Sequence, residues 1–114
     1  MKRSRLLLLS LLFAAPAAYA NDFPTSSRVE YVLECMQQHE SKGEYLYKCS
    51  CVIDHIAKGM THDEYLEMST ALRNQTMAGE RGAVFRDPPP VKQMANKYKA
   101  ILAGANKACY VPQR

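Results

Sequence analysis

The sequence predicts an all-α fold, a small four-helix domain braced by two disulfides and preceded by a cleaved signal peptide. Three observations carry that expectation. Apolar residues recur at steps of three and four in four separate segments, and no segment alternates as a half-buried strand would. An even number of cysteines, four, stands in a chain of only 114 residues that opens with an export leader.

The leader, MKRSRLLLLSLLFAAPAAYA, places Lys2, Arg3 and Arg5 ahead of an apolar run from Leu6 to Ala15. It finishes on Ala18-Tyr19-Ala20, the spacing of a signal-peptidase site, so cleavage after Ala20 and a periplasmic or secreted product are expected. The run falls short of the ~20 residues a membrane span needs, and no later segment is as apolar, so no membrane insertion is expected after cleavage. Cleavage removes three of the 15 Lys and Arg and none of the 11 Asp and Glu, leaving 12 basic against 11 acidic side chains. A near-neutral surface of mixed sign gives no grip on a phosphate backbone, which argues against nucleic acid as a partner. Residues 21–114 then form one small domain, expected to be monomeric and near the size at which covalent staples become useful.

Residues 21–27 (NDFPTSS) are polar and broken by proline, and predict a loose lead-in whose serines cap the first helix. From Arg28 to about His39, Val29, Val32, Leu33 and Met36 recur at helical spacing. Ser41-Lys42-Gly43 interrupts the pattern, and Leu46, Cys49, Ile53, Ile56 and Met60 then give the cleanest apolar stripe in the chain, with Gly59 suited to its end. Thr61-His62-Asp63-Glu64 is a capping box: the threonine oxygen accepts an early backbone N–H, and Glu64 reaches back to the N–H of the cap residue. A third helix over His62–Arg73 follows, with Tyr65, Met68, Ser69 and Leu72 inward and Leu66 flanking. Residues 74–90 hold two glycines, three prolines and no sustained period, and predict a long connecting loop. Val91, Met94, Ala95, Tyr98, Ile101, Leu102 and Ala105 define the last helix, with Cys109 just beyond it.

Helix geometry narrows the three possible pairings of four cysteines. Cys49 and Cys51 stand two apart and diverge by ~200° on a helix, so each needs a different partner. Cys35 and Cys49 are each seven residues from Lys42 and come level in an antiparallel hairpin, which favours Cys35 with Cys49 and Cys51 with Cys109. The reverse assignment, Cys35 with Cys51 and Cys49 with Cys109, is the alternative. Thiol redox catalysis finds less support, because one residue rather than two separates the central thiols and they sit mid-helix. Zinc through Cys49, Cys51, His55 and a remote cysteine would need free thiols in an oxidising compartment.

His39, His55 and His62 with Met36, Met60 and Met68 raise copper handling as an alternative, with Met60, His62 and His55 as its ligands, since thioether and imidazole suit a soft metal. The methionines fall on apolar stripes, where they are ordinary filler, and no cofactor is expected. The connecting loop is the better candidate surface. Arg81, Phe85, Arg86 and Asp87 combine an apolar ring with guanidinium forks suited to carboxylates or phosphates, unless Phe85 merely plugs the core. There is no nucleophile elbow, no paired-histidine zinc motif and no glycine-rich phosphate loop, so an enzyme is not expected.

In size, export and helix content the chain resembles the periplasmic acid-stress chaperones. It carries four cysteines where they have two and shares no motif with them, so no family follows. The sequence therefore points to a non-catalytic accessory or binding protein, acting on an unidentified periplasmic protein or a small anionic ligand.

Overall fold

The computed structural model describes residues 22–113. The expected leader, its cleavage site after Ala20 and Asn21 lie outside that range. Five helices occur among the described residues, α1 (Thr25–Gln38), α2 (Glu44–Gly59), α3 (His62–Asn74), α4 (Gly79–Arg86) and α5 (Pro89–Ala108), with no strand. In this arrangement α1 packs on α2, while α5 packs on both α2 and α3.

The stripe on α2 organises the core. Cys49, Val52, Ile53 and Ile56 are essentially inaccessible to solvent, and each large aliphatic side chain so buried contributes about 1.5–3 kcal/mol. Tyr65 and Met68 from α3, Tyr98 and Ala105 from α5, and Val111 beyond it complete the cluster. Both favoured disulfides are present. Cys35–Cys49 joins α1 to α2 with Cα atoms 5.9 Å apart, and Cys51–Cys109 ties the other face of α2 to the end of α5 at 5.8 Å. No free cysteine remains among the described residues.

The capping box forms as its sequence dictates. Glu64 N–H donates to Thr61 Oγ1 at 3.2 Å and Thr61 N–H donates to Glu64 Oε2 at 2.8 Å. Asp22 strengthens the same helix end by accepting from His62 N–H at 3.0 Å, where a carboxylate also meets the positive pole of the helix. The α1–α2 turn places Glu40 and Ser41 at φ 58° and 53°, a left-handed conformation that side chains other than glycine adopt at some cost. Ser41 N–H closes it by donating to Met36 O at 2.9 Å.

The lead-in is shorter and better packed than expected. Helix α1 begins at Thr25, so Ser26 and Ser27 lie in its first turn rather than before it, and Pro24 takes the cap position without a side-chain cap. Phe23 accounts for the difference: it is 6% exposed and sits 5.2 Å from the rings of both His62 and Tyr65, pinning the chain ahead of the helix. The inward face of α1 is also rotated. Val32 and Cys35 are buried while Val29 and Leu33 are half exposed, because the bond from Cys35 to α2 sets the rotation of α1.

The segment 74–90 is not a plain loop, since Gly79–Arg86 forms α4. Gly79 enters it at φ 78°, a conformation open to glycine. Gly82 passes so close to Met77 that a Cβ there would lie 3.0 Å from the Met77 Cβ. Pro89 and Pro90 then occupy the first turn of α5, where the missing N–H groups have no intrahelical acceptor to lose.

Candidate functional site

Because α1 leans chiefly on α2, a cleft stays open between α1 and the α3–α5 pair. It has two lobes that share Tyr31, Cys35, Gln38, Leu72 and Leu102. The smaller lobe, about 170 Å³, adds Glu34, Tyr65, Ser69, Arg73 and Tyr98. The larger, about 300 Å³, adds His39, Lys99, Asn106 and Gln113.

Each helix delivers one tyrosine to this place, Tyr31 from α1, Tyr65 from α3 and Tyr98 from α5, and the rings of Tyr65 and Tyr98 meet edge to face at 6.1 Å. Tyr65 and Tyr98 are 6% and 3% exposed, yet neither phenol hydrogen-bonds any other described residue. No fully enclosed side-chain oxygen or nitrogen among the described residues lacks a partner, so these hydroxyls keep some access to solvent, and both residues line the smaller lobe. Buried polar groups nearly always have a partner, so a pair of deep phenols lining a cavity invites one from outside the chain. Burial pushes the acidity of Tyr31 and Tyr98 far above the ordinary phenol value, with neighbouring tyrosines and Glu34 adding to the shift. Burial likewise raises Tyr65, so all three remain protonated donors.

Charge in the cleft is arranged unevenly. Arg73 Nη2 donates to both carboxylate oxygens of Glu34, at 3.1 and 2.9 Å, which leaves Nε and Nη1 without a hydrogen bond to a described residue. Lys99 in the other lobe has no ion pair among the described residues. His39, 8% exposed, stacks on Tyr45 with ring centroids 4.2 Å apart, and its ring nitrogens make no hydrogen bond to another described residue.

The residues singled out on 74–90 lie elsewhere, on α4. Phe85 is 55% exposed, so it does not plug the core, and Arg81 is exposed one turn before it. Arg86 is engaged within the chain: its Nε and Nη2 donate to Asp87 at 2.7 and 3.1 Å, and its Nη1 to Met77 O at 2.6 Å. That fork closes the end of α4 onto its beginning, and it holds the Asp87 carboxyl below the usual carboxylate range.

The copper candidates are dispersed among other roles. Met60 is buried in the core, and His62 Nε2 shares a hydrogen bond of 2.9 Å with Ser27 Oγ. Exposed His55 lies beside Cys51 and Cys109, the three ligand-type atoms falling within 4.8 Å of one another. Both sulfurs there belong to a disulfide, so the imidazole is the one group of the three with a lone pair suited to a metal.

No family model matches this chain, and comparison with curated proteins and with solved structures yields no match either.

Proposed function

We propose that the chain is an exported, non-catalytic binding protein, periplasmic or secreted, whose helical frame holds a small ligand in the cleft between α1 and the α3–α5 pair. One observation carries this reading: Tyr65 and Tyr98, nearly buried and without a hydrogen bond to another described residue, both line this cleft, where a bound molecule can meet their phenols. The cleft supplies hydrogen-bond donors and two cations, Arg73 and Lys99, against the single carboxylate of Glu34, which suits holding a small polar molecule. Two disulfides are consistent with an oxidising extracellular compartment, and no helix among the described residues is long and apolar enough to cross a membrane.

The test is a thermal-shift screen of the mature protein against small metabolites, since a ligand selective for the folded state raises Tm as its concentration exceeds Kd. Hits should disappear in Leu102→Trp, which fills the waist shared by both lobes, while circular dichroism reports an unchanged helix content. Hits that survive this substitution would place binding outside the cleft.

A second reading, recognition of a partner protein by α4, draws on a different observation. Val84, Phe85 and Met77 are 71%, 55% and 42% exposed on and beside this short helix, and Arg81 is at hand to pair with an acidic group. Replacing Phe85 and Arg81 with alanine should then abolish partner capture without affecting the small-ligand hits. Retained capture would count against this surface.

A further inference from the structure

The chemistry lining the cleft narrows the ligand further. The smaller lobe is rich in donors, with the phenols of Tyr65 and Tyr98, the Ser69 hydroxyl, the Gln38 amide and the Nε and Nη1 of Arg73, while its one carboxylate, Glu34, already accepts from Arg73. A neutral amide or alcohol would leave part of this donor set unmatched, whereas a carboxylate can accept several charge-assisted hydrogen bonds at once. The nearby Glu34 carboxylate opposes any anion here, and a doubly charged phosphate about twice as strongly as a carboxylate.

Between the lobes the lining changes character. Leu72, Leu102, the ring of Tyr31 and the Cys35 end of a disulfide, with Gln38 as the polar exception, form the part common to both, a mostly apolar waist. The adjoining smaller lobe, at about 170 Å³, is close to the ~150 Å³ of a cavity that takes up benzene, enough for an acid group and a few carbons but not for a nucleotide. We propose, resting on the cleft reading above, that the ligand is a short amphiphilic carboxylate whose acid group sits among Arg73, Tyr65 and Tyr98 and whose apolar stem runs along Leu72 and Leu102.

The experiment titrates the mature protein with hexanoate and with hexanamide, matched in length and differing in charge, following the ring resonances of Tyr65 and Tyr98. Hexanoate should bind at least tenfold more tightly, the ratio expected when a charge-assisted hydrogen bond is lost. Arg73→Gln should weaken hexanoate by a similar factor and leave hexanamide unchanged. Tyr98→Phe should weaken hexanoate severalfold while Tm stays within a few degrees, since the removed hydroxyl has no partner within the protein. Equal affinity for the two probes, indifference of hexanoate to Arg73→Gln, or no hexanoate binding at all would each overturn the carboxylate assignment. The cleft reading fails separately, if hexanoate or any hit from the metabolite screen binds Leu102→Trp as well as it binds the wild type.

Discussion

Glu34 on α1 and Arg73 on α3 are joined across the mouth of the cleft, with Arg73 Nη2 donating to both carboxylate oxygens at 3.1 and 2.9 Å. Their side chains are 57% and 62% exposed, so the pair bridges the two walls in the presence of solvent. Burial and covalent bonds hold α1 elsewhere, through Val32 and through Cys35.

Exposed ion pairs of this kind contribute about 0.2–1 kcal/mol, so Glu34→Gln should lower stability to urea by no more than that, and by less still at high salt. The same substitution should tighten hexanoate binding, because it removes a carboxylate that competes for Arg73. Equilibrium unfolding and titration of the same variant check both outcomes. A loss of ~3 kcal/mol or more would show that the seat of α1 depends on this pair.

The two disulfides should behave as separate units. Cys35→Ser and Cys49→Ser each open a bond whose partners are 14 residues apart, and by the chain-entropy model each should cost about 3 kcal/mol. Cys51→Ser and Cys109→Ser open one spanning 58 residues and should cost about 4 kcal/mol. Cys35 and Cys49 are both buried whereas Cys51 is partly accessible, so mild reduction by a dithiol should open Cys51–Cys109 first. Peptide mapping of alkylated partial-reduction products reads the order. Prior opening of Cys35–Cys49 would mean that α1 separates from α2 more readily than its burial implies.

What could be read from the sequence depended on how far apart in the chain the deciding residues lie. The α2 stripe from Cys49 to Met60, the box from Thr61 to Glu64 and the level pairing of Cys35 with Cys49 are local patterns that survive folding, although Leu46 at the head of the stripe is left 46% exposed. The face of α1 was less legible, because Val29 and Leu33 match the same period as Val32, and only the bond from Cys35 to α2 decides which side turns inward. Helix α4 is eight residues long with no apolar face, too short for a period to register. The cleft was invisible for a different reason. Tyr31, Tyr65 and Tyr98 come from three helices, and Tyr65 and Tyr98 already satisfy the pattern of ordinary core residues. A sequence signal existed in that recurrence of tyrosine on inward faces, but periodicity does not distinguish a ring that fills space from one that also aims a hydroxyl.

Two phenylalanines separate packing from exposure. Phe23 lies ahead of α1 and is nearly buried against Tyr65 and His62, so Phe23→Ala should cost about 3–5 kcal/mol although it lies close to the expected chain start. Phe85 is more than half exposed on α4, and Phe85→Ala should cost less than about 1 kcal/mol. Denaturation of the two variants in parallel decides this. Similar costs would mean either that the Phe23 contacts are lost in solution or that α4 packs more tightly than its exposure indicates.

The tyrosines of the cleft should govern behaviour in alkali. Burial raises the folded-state pKa of Tyr31 and Tyr98 well above the unfolded value of about 10, and that of Tyr65 in the same direction. For groups raised in this way the stabilisation is complete below the unfolded pKa and declines as pH climbs beyond it, because the unfolded chain releases phenolic protons that the folded chain retains. Stability should therefore be insensitive to these residues below about pH 10 and fall progressively above it. Ionisation of the three phenols, followed by phenolate absorbance near 295 nm, should coincide with loss of helix content in circular dichroism. The triple variant Tyr31→Phe, Tyr65→Phe, Tyr98→Phe should remove that coupling and move the alkaline unfolding midpoint upward, its rings still packing but with no proton to lose. Titration of all the tyrosines well before helix is lost would show that these phenols open freely to solvent, and the cleft would then lack the deep donors on which its binding role depends.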